Sequence, residues 1–218
     1  PVMAGSDLNY DLEADGSTAG ITAGEVLSLE TLMQCALVAS ANEACNVIAE
    51  HISGSPEAFI ALMNRRAAEL GCTGTHFANT HGLPNEDHYT TAWDVYLISR
   101  EAVSHEIFAS ICSLQQVTVP ASAGGAERTF KNTNALLGDN DYYKGYAYEG
   151  ACGVKTGFTK CTGRCLVSAA EREGVTLIAV TLNAPDDWND HITLYNKAFR
   201  EYSLRNVTEG LHFSVPVA

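Results

Sequence analysis

Cys152-Gly153-Val154-Lys155-Thr156-Gly157-Phe158-Thr159 is the stretch on which the reading of this chain turns. It predicts a short strand interrupted by glycine, with Val154 facing the core and Lys155 and Thr156 on an exposed edge. Gly157 has no side chain, so a ligand or another backbone can approach closely there. An ammonium and a hydroxyl beside the free N–H and C=O groups of an edge strand suit an extended peptide that ends in a carboxylate. A solvated strand-edge lysine is the plain alternative. Which of the two holds depends on what the rest of the chain brings alongside.

Working outward, residues 164–170 and 175–182 read as a hairpin about Glu173-Gly174, and sequential strands of this kind form an antiparallel sheet. Residues 116–120 and 128–130 read as two further short strands around a glycine-rich turn. The N-terminal half carries helical periodicity instead. Ser28 caps a first helix with apolar residues at 29, 32, 33, 36 and 37. Asn42 is the expected N-cap of a second, with Ala44, Val47, Ile48 and Ile52 as its buried stripe. Ser55-Pro56-Glu57 opens a third, which Gly71 ends. Thr90 or Thr91 caps a fourth that runs to about Val103, with Trp93, Ile98 and Ala102 inward. A shorter helix over 104–111 and a final one over 188–202 complete the set. Residues 1–27 read as loop with short strands, and 211–218 as a strand or linker. The expected class is α/β of the α+β type, an antiparallel sheet flanked by helices.

Composition bounds the function. The 218 residues are 46% hydrophobic and 18% charged, enough for a full core, and form one expected domain over 1–205 with 206–218 as a linker or the start of a further segment. A formal net charge of -13 argues against nucleic acid or an anionic membrane surface as partner. Seven cysteines cannot all pair with one another; Cys35 and Cys45 fall on apolar helix faces, and Cys152 and Cys165 are placed to bridge a hairpin. Cys161 and Cys165 lack the spacing of a zinc site, and His76, His81 and His88 lie in loops without metal-ligand spacing, so no metal is expected. Arg164 either adds positive charge near the Lys155 strand or is an ordinary surface arginine.

Ser40-Ala41-Asn42 sits at a helix–helix junction, where capping alone accounts for it. Paired with a downstream Lys-Thr-Gly on a strand, it resembles the second and third motifs of the penicillin-recognising serine enzymes. Within them the chain is most similar to the D-alanyl-D-alanine carboxypeptidases, the low-molecular-mass penicillin-binding proteins. The similarity runs through residues 37–44, 76–83, 88–94, 132–137, 153–159 and 177–180.

The resemblance implies the transpeptidase fold shared with the β-lactamases and an acyl transfer. A serine attacks the D-Ala-D-Ala amide of a peptidoglycan stem peptide, terminal D-alanine leaves, and water frees the enzyme. It further implies that Ser40 relays a proton to the leaving amine and that Asn42 holds the substrate amide. Lys155 and Thr156 would bind the terminal carboxylate and help set the field, Lys155 thereby joining Ser40 and Asn42 as a catalytic residue, and the strand through Gly157 and Phe158 would supply backbone contacts and an oxyanion-hole N–H. It implies no cofactor, β-lactams as ligands once the nucleophile is present, and an extracytoplasmic location.

One motif departs from the family pattern. No serine in the 218 residues has lysine three positions later, so the nucleophile and base of Ser-x-x-Lys are not among them. A fragment whose domain is incomplete at its N-terminal side, a split subunit served by a complementary N-terminal fragment carrying that motif, and a degenerate member are all open at this point. On any of them these residues alone are not expected to form an acyl-enzyme. Two rival functions stand beside the carboxypeptidase. A non-catalytic peptidoglycan- or partner-binding protein of the same fold is one. A β-lactamase is the other, disfavoured because no Glu-x-x-x-Asn occurs.

Overall fold

In the computed structural model, residues 1–13 and 16–204 are described. The expected 206–218 segment and the 205/206 boundary lie outside them. Two short antiparallel strands, β1 (Val2–Met3) and β2 (Val26–Leu27), precede five helices: α1 (Leu29–Val38), α2 (Asn42–Ser53), α3 (Pro56–Glu69), α4 (Ala92–Val103) and α5 (Glu106–Cys112). A two-stranded ribbon, β3 (Gln116–Val119) with β4 (Arg128–Lys131), leads into the main sheet. That sheet is β5 (Ala151–Thr159), β6 (Gly163–Arg172) and β7 (Val175–Thr181), antiparallel in the order β5-β6-β7, followed by α6 (Asp187–Glu201). It is therefore the expected helix-flanked antiparallel arrangement.

The period-2 alternation of strands sorts β6 onto two helical layers. Leu166 and Ala170 pack with Trp188 and Tyr195 of α6, while Ala169 and Val167 pack around Cys112 of α5. A two-residue turn joins β6 to β7, with φ of 51° at Glu173 and 77° at Gly174. Positive φ at both positions matches the right-handed twist of the flanking strands, which explains the tight hairpin. Val154 is buried as expected. Gly153 is the glycine that packing demands: its φ is 135°, and a Cβ there would lie 2.8 Å from Cys112 Cβ.

Side-chain caps explain three of the six helix starts among the described residues. Ser28, Ser55 and Thr91 each accept a hydrogen bond from the backbone N–H three residues on, and Pro56 takes the first helical position of α3. Four expectations are corrected. Ile52 is not part of the buried stripe of α2: in the last turn of the helix it is 53% exposed. Asn42 is not a cap: Ala41 holds the cap position, and the Asn42 N–H donates to Ser17 O at 3.0 Å, so a loop carbonyl satisfies the donor. Trp93 does not point inward. It is 65% exposed and lies against Tyr96, because buried Asp94 takes the inward place and accepts from Gly74 N and Thr75 Oγ1, each at 2.7 Å. Cys152 and Cys165 do not bridge: both are free, and the ladder sets Cys165 opposite Gly157, five residues along β5 from Cys152. At about 3.4 Å per residue that separation is far beyond disulfide reach.

Candidate active site

Ser40 and Lys155 meet, although 115 positions separate them. Ser40 lies in the short connection between α1 and α2 with φ of 59°, a left-handed conformation that a serine adopts only where its surroundings hold it. Ala41 N donates to Cys35 O at 3.0 Å, and Asn42 N is tied to Ser17 O, so the junction is pinned on both sides. From the sheet, Lys155 Nζ donates to Ser40 Oγ at 2.9 Å and to Thr156 O at 2.8 Å. Burial pulls the Lys155 amine down to about 8, with the nearby Cys45 and Cys112 thiols pulling the other way. Burial likewise pushes Cys45 up to about 11 and Cys112 up to about 12, so both thiols stay neutral at pH 7.

This pair sits at one side of an open cleft of about 580 Å³, whose walls include Ser40, Thr133, Thr156, Gly157, Phe158 and Arg164. Lys155 is half-buried beside this wall, with its amine on Ser40 Oγ. β5 is an edge of the sheet among the described residues, so alternate backbone N–H and C=O groups point away from β6. Gly157 is exposed there, and a Cβ would meet Cys165 Cβ only at 3.6 Å, an ordinary contact. Phe158 is 69% exposed at the rim. Asn42 lies elsewhere: its side chain borders an adjoining recess of about 300 Å³ with Gly16, Ser17 and Glu43. Thr18 and Ser17 line both spaces.

Arg164 is neither of the two things the sequence offered. Its Nε and Nη2 donate to Asp187 Oδ1 at 3.0 and 2.6 Å, and Nη1 donates to the Tyr143 hydroxyl. The guanidinium also lies 4.7 Å from the Tyr143 ring centroid and 5.3 Å from that of Trp188. Its charge is therefore met by Asp187, and it clamps β6, α6 and the tyrosine-rich loop into the far wall of the cleft. His76, His81 and His88 take part in loop hydrogen bonds, to Asp87 O, Leu83 N and Ala78 N.

Two contributors escaped the sequence reading. Thr133 Oγ1 lies 2.6 Å from Thr156 Oγ1. Glu43, buried, accepts from Thr18 Oγ1, Ala19 N and Ile21 N at 2.7, 2.7 and 3.3 Å, and so holds the loop that faces Ser40. Neither carries a local signal, since each partner is more than twenty positions away in the chain.

A hydroxyl, a half-buried amine and an open strand edge in one cleft can hold an anionic peptide terminus and pass a proton along Ser40. The family model described as D-alanyl-D-alanine carboxypeptidase matches residues 3–186. The chain belongs to this family. A carboxypeptidase of this name from Bacillus subtilis is 33% identical over 195 residues, 86% of this chain and 46% of that protein. One from Mycobacterium tuberculosis is 30% identical over 197 residues, 87% of this chain and 64% of that protein. The chain thus spans about half the length of the curated relatives it matches. Among solved structures, the Streptomyces K15 DD-transpeptidase superposes with a TM-score of 0.78 at 26% identity, covering 90% of this chain and 78% of that one. A D-alanyl-D-alanine carboxypeptidase from Mycobacterium tuberculosis gives 0.78 at 28% identity, covering 91% and 73%. The fold is that of the DD-peptidases.

Proposed function

We propose that this chain is the substrate-holding part of a serine-type D-Ala-D-Ala carboxypeptidase that trims peptidoglycan stem peptides outside the cytoplasm. The single observation that carries the reading is the 2.9 Å contact between Lys155 Nζ and Ser40 Oγ, which unites two distant family motifs in one cleft. The stem peptide would lie extended along β5, its terminal carboxylate at the Thr156 hydroxyl. A Phe158 N–H would stabilise the oxyanion of the tetrahedral intermediate. Ser40, polarised by the Lys155 ammonium, would donate its proton to the departing D-alanine amine and recover one from the attacking serine through the same network. Asn42 would hold the substrate amide after a side-chain rotation out of its recess. The attacking serine belongs to Ser-x-x-Lys and is not among these 218 residues. No helix among the described residues is long and apolar enough to cross a membrane.

The isolated 218-residue chain should bind a D-Ala-D-Ala-terminated peptide reversibly and take up no covalent label from a fluorescent penicillin. Supplying a segment with Ser-x-x-Lys, as a fusion or a second polypeptide, should produce both the label and D-alanine release. A stable penicilloyl adduct on the 218 residues alone would overturn this division of labour.

A further inference from the structure

We propose that the aromatic surface at the N-terminal end of α4, built on Trp93, Tyr96 and Tyr89, is a second binding site of this protein and holds a chain of amino sugars. The surface lies apart from the cleft. The reading of the cleft as a peptidoglycan-peptide site enters only in naming the sugar, as the glycan strand on which stem peptides are borne.

The rings are exposed yet held. Trp93 stands mostly in water at the start of α4, next to buried Asp94. Tyr96 and Arg100 follow at helical spacing on the same stripe. The Trp93 and Tyr96 ring centroids are 5.1 Å apart, and the Arg100 guanidinium lies 5.7 Å from the Tyr96 ring. Beneath them the helix start is fixed, because Thr91 Oγ1 accepts from Asp94 N at 3.1 Å and Asp94 accepts from Gly74 N and Thr75 Oγ1. Tyr89, 57% exposed, stacks on His76 with centroids 5.9 Å apart. Backbone bonds of 2.9 and 3.0 Å between these two residues hold the stack. Four peptide links separate Tyr89 from Trp93, at most about 15 Å, within reach of one short oligosaccharide. Large rings fixed in place with their faces still hydrated add little to folding.

The polar atoms among the rings say what fits them. His76 Nδ1 lies 2.6 Å from Asp87 O, which only accepts, so in the neutral ring Nδ1 carries the proton and Nε2 is left as an acceptor. Thr75 Oγ1 spends its one proton on Asp94 Oδ2, so Thr90, 2.8 Å away, donates to Thr75 and keeps its lone pairs for a ligand. The surface thus offers flat apolar faces bordered by acceptors. A pyranose ring has the complementary form, with C–H groups on its faces and O–H donors around its edge. An apolar protein face would strand these acceptors. The net charge of -13 disfavours a nucleic acid.

The site is also placed to serve the cleft. α4 packs against β7, at the opposite side of the sheet from the β5 edge. A polymer held at Trp93 while its stem peptides visit the cleft is attached at two points, and the first raises the effective concentration at the second.

The test uses chitohexaose, a peptide-free chain of β-linked N-acetylglucosamine, titrated into the ¹⁵N-labelled 218-residue chain. The chain has two tryptophans and Trp188 is buried, so the indole N–H of Trp93 reports this surface. Chitohexaose should shift that signal and the amides of Tyr89 and Thr90, and leave Thr156 and Gly157 in place. Trp93→Ala, at an exposed helical position where alanine is well tolerated, should weaken chitohexaose binding about tenfold. Trp93→Tyr should restore part of it, and neither change should alter binding of a D-Ala-D-Ala peptide. An unmoved Trp93 signal, or equal affinity in Trp93→Ala, would overturn the sugar site and leave the cleft reading standing. Dimerisation that Trp93→Ala abolishes, without chitohexaose binding, would overturn it in favour of pairing between two copies. A chain that binds chitohexaose at Trp93 but no D-Ala-D-Ala peptide would support this site and sink the cleft reading instead.

Discussion

Two serine-centred networks touch the same sheet, one through Lys155 of β5 and one through Ser168 of β6, and they differ in almost everything that matters for chemistry. In the cleft, Ser40 Oγ accepts from Lys155 at 2.9 Å and faces open space. In the core, Ser168 Oγ lies 2.6 Å from both His191 Nδ1 and Tyr195 OH, and His191 Nε2 lies 3.0 Å from Thr181 Oγ1. By distances alone the second is the better serine–base pair. Yet Ser168 and His191 are both 0% exposed, between the sheet and α6. No substrate reaches them, every polar atom of the imidazole is matched, and burial drives His191 down to about 4. Access and strain, here the open cleft and the left-handed Ser40, separate the hydroxyl proposed to work from the structural one. Residue types and spacing do not.

The comparison predicts opposite outcomes for changes in the two networks. The largest effect belongs to the core. Tyr195→Ala empties a fully buried site and strips a partner from Ser168, and should cost about 3–5 kcal/mol of stability in denaturant unfolding. Peptide binding by the fraction still folded should be unchanged. A Tyr195→Ala chain that is stable but does not bind would break the separation between the networks.

Acid should act on the core next. His191 holds a folded-state value of about 4, below the ordinary 6.5, so between these pH values the unfolded chain carries the extra proton. Its stabilising contribution is complete above pH 6.5 and is lost as pH falls toward 4, on the order of 3 kcal/mol at most. His81 and His88, also lowered by burial, add slope of the same sign, so the diagnostic is a difference. Unfolding of His191→Gln should depend less on pH across this window than the wild type. Equal slopes would mean that His191 is not held neutral by its setting.

Lys155→Met should show the reverse pattern, losing about 1.5–3 kcal/mol of free-acid peptide binding while the melting temperature moves little, since a partly desolvated charge is removed with it. Binding by the wild type should also weaken as pH rises through about 8, where the Lys155 ammonium is lost. A Lys155→Met chain should lack that step. Retention of the step in the variant would assign it to another group.

Much of the frame was legible because local chemistry sets it. Ser28, Ser55-Pro56 and Thr91 announce helix starts by hydrogen bonds that span three residues, and Glu173-Gly174 announces a hairpin by the φ it tolerates. Lys155 and Ser40 were legible only jointly, through the resemblance their spacing completes. What stayed hidden depends on partners that sequence order does not reveal. Trp93 faces solvent because Asp94, three residues after Thr91, is claimed by Gly74 and Thr75. Asn42 gives up capping because Ser17 O meets its N–H. Arg164 turns out neutralised because Asp187 opens α6 beside it. Thr133 enters the cleft only when a loop stapled by three asparagines folds back on β5.

The central claim is that the edge of β5 receives the carboxyl end of a D-Ala-D-Ala peptide. Titrating the ¹⁵N-labelled 218-residue chain with such a peptide tests it most directly. The largest amide shifts should fall at Ser40, Thr133, Thr156, Gly157 and Phe158, and the free acid should bind about tenfold tighter than its carboxamide. Shifts confined to another surface, such as the apolar groove between α3 and α4 lined by Phe59, Met63 and Ile98, would contradict it.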